Sequence, residues 1–307
     1  MTIIIPAGSN IGPYLNTAVA NQVFALEPGA NYTCQNTPQI TAANVKLIGA
    51  GSNIAITPAS GATSGIIVKG AGFQLLGVNL SGPAVCLRVY NTDLLVSGCY
   101  FGSCSNGMIL DAGSHRATVI GSTFDISGSD NIYATSDDLF ISHCTFAGSV
   151  GEHCVRLDLD AFGRRPSNFV LRDSSLTNHN SVGKDALALR ELTGGQVSRT
   201  TISGWATVGQ QLAPGIHATN IDFIDCAFPT LRPGGAYIQF GTNVTGTMND
   251  CQFAGSRTDA CVAVGPGAVI TATGSKIVAN GFTPDPLGQI NTGGKLIESG
   301  TAVVASF

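Results

Sequence analysis

Charge is scarce in this chain of 307 residues: Asp, Glu, Lys and Arg together make up 11%. Aromatic residues amount to 7%, with a single Trp. Lys and Glu, the usual fillers of exposed helix positions, are few, which argues against a helical architecture. The net charge is −4 and no basic stripe occurs, which excludes binding by phosphate neutralisation and hence a nucleic-acid partner. No uninterrupted apolar run is long enough to insert into a membrane; residues 47–68 carry no charge, but Gly, Ser, Thr, Asn and Pro break them up throughout. Residues 1–24 have no basic segment, and their apolar run is too short for a secretion signal. The nine cysteines include no CxxC and no Cys/His zinc spacing. Most of them read as buried free thiols that act as small apolar fillers.

What is abundant points to β structure. Glycine alone accounts for 39 residues, and Ser, Thr and Asn are frequent. A triplet recurs, made of a small residue, any residue, then Phe, Leu or Ile. It appears at Cys99-Tyr100-Phe101, Ser122-Thr123-Phe124, Cys144-Thr145-Phe146 and Ser174-Ser175-Leu176. It continues at Thr200-Thr201-Ile202, Cys226-Ala227-Phe228, Cys251-Gln252-Phe253 and Ser275-Lys276-Ile277. Successive triplets are 22–30 residues apart, and a polar residue or Gly usually precedes each. Each unit also holds a strand of period-two alternation, as in 86–90, 154–158, 186–190, 237–241 and 261–265. Alternation turns Val155/Leu157, Leu187/Leu189, Ile238/Phe240 and Val262/Val264 inward, and Arg156, Ala188, Gln239 and Ala263 outward. Units this short bury their apolar faces only by stacking, so the pattern predicts an all-β parallel solenoid. No Leu/Asn consensus supports leucine-rich repeats, and propeller blades would be longer and antiparallel.

This ladder resembles the right-handed parallel β-helix of the pectate-lyase-like superfamily, which includes phage tailspike depolymerases. The resemblance covers residues 44–283. "PGANY" (28–32) is similar to the PGxY turn that opens many β-helices. Residues 1–43 are expected to cap the solenoid with an amphipathic helix from residue 12 and an opening strand. Residues 284–307 are expected to close it with a final strand pair or cap. The resemblance implies a secreted or phage-particle protein, and its tailspike branch implies a homotrimer.

The longest interval, 30 residues from Cys144 to Ser174, contains "GEHCVRLDLDAFGRR" (151–165), where the scarce charge concentrates. Insertions in solenoids form surface loops, and loops on rigid scaffolds carry sites. Aligning the rungs places Glu152 beside Lys184, Arg156 beside Ala188, Asp158 beside Arg190 and Tyr133 beside Arg156. Gln210 and Gln211 follow on the next rung, and His153 sits at a strand start. Arg164 and Arg165 read as solvated loop charges; His115, His143 and His217 read as structural.

Basic residues in a groove of an acidic protein suit an anionic polymer, because Arg binds carboxylates through two parallel hydrogen bonds. A polysaccharide lyase needs a cation for the uronate carboxylate, a base for the C5 proton and an acid for the leaving oxygen. Arg156 or Arg190 fits the first role, Lys184 the second, and Tyr133 or His153 the third. Glu152, Asp158, Asp185, Gln210, Gln211 and Gln239 are the expected substrate contacts. The resemblance implies a Lys or Arg base on this sheet, often with calcium. No cluster of three carboxylates is evident, so the expected site has no metal or other cofactor, with calcium the one left open. Two other readings stand beside the lyase: a glycoside hydrolase using a Glu/Asp pair, and a non-catalytic glycan-binding module.

Overall fold

The computed structural model describes residues 1–125, 128–147, 151–178, 185–209, 217–230, 236–254, 261–278, 288–290 and 294–304. They form two compact units, 1–152 and 153–307. Each unit is a parallel β-solenoid. In the first, the strands Leu95–Ser97, Tyr100–Gly102 and Asn106–Leu110 make one turn. They pair in parallel with Thr118–Ile120, Thr123–Asp125 and Ile132–Ala134 of the next. In the second unit, Ala218–Ile224, Ala227–Thr230 and Ile238–Phe240 pair in the same way with Thr245–Asn249, Gln252–Ala254 and Val262–Val264.

The triplets fall where stacking requires them. Their third residues face inward, and Phe101, Phe124 and Phe146 stack face to face with centroids 4.6 and 4.9 Å apart. Phe228 and Phe253 repeat this at 4.9 Å in the second unit. These separations match the spacing of paired strands, about 4.8 Å, so the backbone ladder sets the ring stacking. The first residues are buried beside them, and the Cys99, Cys144 and Cys226 thiols each donate to a nearby carbonyl. Burial pushes the Cys99 and Cys144 thiols up to about 11 and Cys34 up to about 12, which keeps them protonated and unreactive.

The residue before each triplet turns a corner in the left-handed conformation. Gly77, Gly98, Gly121 and His143 do so in the first unit, and Asp173, Arg199, Asp225, Asp250, Gly274 and Gly300 in the second. Glycine bears this backbone without strain, and Asp tolerates it better than most residues. Arg199 is held there by a two-pronged bond to Asp173, Nε–Oδ1 2.6 Å and Nη2–Oδ2 2.9 Å.

The helix at residue 12 is a single turn, Gly12–Asn16, and no capping amphipathic helix forms. The Asn16 side chain accepts the Gln39 amide, 23 residues away, and the Thr17 hydroxyl donates to the Pro13 carbonyl at the end of the turn. The PGANY turn does form; the Tyr32 hydroxyl accepts the Glu27 amide and donates to the Ile5 carbonyl. Cys86 and Cys104 are joined in a disulfide, leaving seven free buried cysteines. Lys295–Ser299 and Ala302–Val304 pair in parallel with Val269–Thr273 and Lys276–Val278.

Phe124 sits between two stacked rings and is fully buried. Phe124→Ala should therefore destabilise the protein by about 3–5 kcal/mol in chemical denaturation. A loss below about 1 kcal/mol would mean that the stack is not part of the core.

Candidate functional site

The charged cluster lies on the short-stranded sheet of the second unit, built from Val155–Leu157, Leu187–Leu189, Ala206–Val208, Ile238–Phe240, Val262–Val264 and Gly288–Ile290. Register makes an outward column of Arg156, Ala188, Thr207, Gln239 and Ala263. Its inward neighbours Val155, Leu157, Leu187 and Leu189 are fully buried. Arg156 therefore stands next to Ala188, as alternation predicts. One position further along, where the strands end, come Gly209, Gly241 and Gly265, whose amides bond to the preceding strand. A Cβ on Gly209 would meet Val244 Cγ2 at 2.5 Å, and one on Gly265 would meet the Gly241 backbone at 2.8 Å. A side chain at Gly209 or Gly265 would therefore be crowded.

The charges pair differently from the rung alignment. Asp158 bonds Arg156 of its own strand, Oδ2 to Nη2 2.6 Å, and not Arg190. Arg190 instead reaches His153, Nη2 to Nε2 3.4 Å. The register Val155↔Leu187 sets Asp185 opposite His153. Ala188 is fully buried although alternation turns it outward. His153 is itself only 1% exposed and lies 3.7 Å from Asp185 Oδ2. Among the described residues, Arg190 has no carboxylate partner and is half-buried.

A second cluster escaped the sequence reading. Glu191, 1% exposed, accepts His217 Nδ1 at 2.5 Å on one oxygen and Arg165 Nε at 2.9 Å on the other. A buried carboxylate is tolerable only when it is compensated in this way. Each partner is 26 residues from Glu191, one rung away. His217 is therefore not isolated, and Arg165, although exposed, is tied to Glu191. His115 also has a partner, Asp137 Oδ2 at 3.3 Å, and His143 Nδ1 bonds Ser142 Oγ.

The insertion is an ordered turn. Asp160 Oδ1 accepts the Phe162 and Arg164 amides, both at 2.8 Å, and Oδ2 accepts Arg164 Nε at 2.7 Å. The Asp160 amide bonds the Arg164 carbonyl, and Gly163 adopts φ +76°. Arg164 stays 64% exposed and Phe162 82%.

Tyr133 and Glu152 belong to the first unit, where Tyr133 faces outward opposite Ile109 and both are half-buried. Gln239 is buried at 6%. Lys184, Gln210 and Gln211 lie outside the described residues. Arg88, on the first unit's sheet, forms a two-pronged bond with Asp111 (2.8 and 3.1 Å) and lies 5.2 Å over the Tyr90 ring. Within either unit alone, the described residues bring no three carboxylate, imidazole or thiol groups together as a metal site. Two shallow depressions lie elsewhere: about 420 Å³ beside Asn31 and Asn53, and about 330 Å³ beside Gly194 and Asp222. Neither holds a cluster of ionisable groups.

The sequence matches no protein-family model, and a search of curated proteins finds no match. Solved structures do match. Pectate lyase Pel9A has TM-score 0.57 and 14% identity, covering 85% of this chain and 78% of that one. The likeness is one of fold, a parallel β-helix. The A-module of mannuronan C-5 epimerase AlgE6 from Azotobacter vinelandii has TM-score 0.57 at 10% identity, covering 98% and 97%. Alginate lyase from Paenibacillus sp. str. FPU-7 has TM-score 0.53 at 12% identity, covering 98% and 99%.

The hydrogen bonds from Arg164 and Phe162 outweigh the burial of Asp160 and hold its pKa below the usual carboxylate value. A lowered pKa contributes stability that is complete above about pH 4 and is lost as pH falls through the lowered value. Hydrogen exchange at the Phe162 and Arg164 amides should therefore speed up only below about pH 4, after correction for intrinsic rates. In Asp160→Asn it should already be fast at neutral pH. Equal protection in both proteins would contradict the Asp160 clamp.

Proposed function

We propose that this β-helix is a polysaccharide lyase that cleaves a uronic-acid-containing polymer by β-elimination. One observation carries the reading: Arg190 is half-buried, and no described carboxylate neutralises it. The neighbouring carboxylates, by contrast, have partners: Asp158 pairs with Arg156, Asp160 with Arg164 and Glu191 with Arg165, and Asp185 lies 3.7 Å from the His153 ring. A glycosidase needs a carboxyl held protonated as acid and a second carboxylate opposite it. Groups paired with cations suit those roles poorly. A lyase instead needs a fixed positive charge where the uronate carboxylate gains electron density.

In this scheme Arg190, with Arg156 beside it, binds the uronate carboxylate. Loss of the C5 proton leaves charge that spreads onto the carboxylate, and the arginine stabilises it. The C4–O bond then breaks, a C4=C5 double bond forms, and the leaving oxygen takes a proton. Lys184 is assigned as the base, and His153 or Tyr133 as the acid. The ring of His153 is buried against Arg190 and Asp185, so its first role is to hold both in place. Glu152, Asp158, Asp185, Gln210, Gln211 and Gln239 are assigned to substrate contacts. No metal is assigned; a calcium requirement is the alternative. A polymer of this kind is met outside the cell, and the Cys86–Cys104 disulfide suits an oxidising compartment, so a secreted or phage-borne protein is proposed. A homotrimer is carried as part of the same proposal, and sedimentation tests it.

The test is ultraviolet absorbance during incubation with a panel of uronate polymers, with and without chelator. A rise on one polymer, unaffected by chelator, is the expected outcome. New reducing ends without that chromophore would favour the hydrolase. Retention of a polymer with neither product would favour the binding module.

A further inference from the structure

We propose that Phe162 and Arg164, at the tip of the insertion loop, form a sugar-binding subsite for an anionic polysaccharide. The Phe162 ring would take the C–H face of a sugar, and the Arg164 guanidinium its carboxylate. The inference rests on the polysaccharide reading above and adds a specificity element to it.

Phe162 is the most exposed aromatic side chain among the described residues, at 82%. A single exposed apolar residue needs no explanation by itself. The loop beneath it does. Asp160, itself buried, binds the Phe162 amide, the Arg164 amide and the Arg164 guanidinium. Beyond the tip, Arg165 is anchored to buried Glu191 at 2.9 Å. The turn is thus clamped at both ends by groups that touch neither the Phe162 ring nor the outer edge of Arg164. Such a frame fixes the backbone that carries the aromatic, and the guanidinium itself, before any ligand arrives, so binding orders little further chain. The pair matches an anionic sugar, which has an apolar C–H face and a charged edge. The placement agrees as well. Phe162 is four residues from Asp158, the partner of Arg156, and hence within about 14 Å of it along the chain, inside the span of a short oligosaccharide.

Affinity electrophoresis with the uronate panel gives a readout independent of catalysis, and steady-state kinetics on any polymer cleaved gives a second. Phe162→Ala should weaken retention about tenfold and raise KM by a similar factor, with a smaller effect on kcat. Phe162→Trp should restore retention. Arg164→Ala should weaken retention of the uronate polymer but not of its carboxyl-reduced form. The ring is exposed, so the thermal midpoint of Phe162→Ala should match that of the parent protein. Unchanged retention in Phe162→Ala would overturn the subsite even if lyase activity is found. Retention lost in the variant without any lyase product would sustain the subsite while the lyase reading fails. If the parent retains no polymer, or if Phe162→Ala alters only the sedimentation coefficient, the ring serves protein contact and the proposal is wrong.

Discussion

Stacking strand on strand at about 4.8 Å governs everything else in this protein. Each turn must bend at the same place as the one before it, or the ladders lose register. The left-handed residue ahead of each triplet meets that demand, as Gly98, Gly121, Asp225, Asp250 and Gly274 illustrate. Once the corner is fixed, the next residue points into the interior beside its counterpart and must be small. The residue two further on stacks on the ring or branched chain of the neighbouring turn. The spacing of 4.6 Å between Phe101 and Phe124 is a consequence of that geometry.

The same periodicity decides where charge settles. Arg88 with Asp111 and Arg116 with Asp93 are each 23 residues apart, and Arg199 with Asp173 is 26. Arg165, Glu191 and His217 follow one another at 26. Several ion pairs of this charge-poor chain therefore join groups one rung apart. Among the described residues, Arg190 on the second unit's sheet has no carboxylate partner.

Much of the fold was legible because periodicity is a property of the sequence. The triplets, the inward pairs such as Val155/Leu157, and the Arg156–Ala188 register follow from counting residues. Side-chain direction at strand ends does not. His153 and Arg190 both lie beyond the regular alternation, and only the folded chain shows one reaching the other. Glu191, His217 and Arg165 were missed because each looks ordinary alone; their common spacing, equal to the repeat, was the available signal. The Cys86–Cys104 bond joins a strand to the corner after the next triplet, a contact that no column of identical positions encodes. The expected capping helix is only the single turn Gly12–Asn16, whose last side chain bonds to Gln39.

The central claim is that function depends on the arginine left without a carboxylate, not on arginine at the sheet surface in general. Turnover of the cleaved polymer should be compared in Arg190→Ala and Arg88→Ala, each checked for folding. The account predicts a loss on the order of 10²–10³ in kcat for Arg190→Ala, the cost of removing a donor that stabilises developing charge. Arg88→Ala should retain parental turnover, because Arg88 is engaged with Asp111 and Tyr90 in the first unit. Parental activity in Arg190→Ala, or equal losses in the two variants, would contradict it.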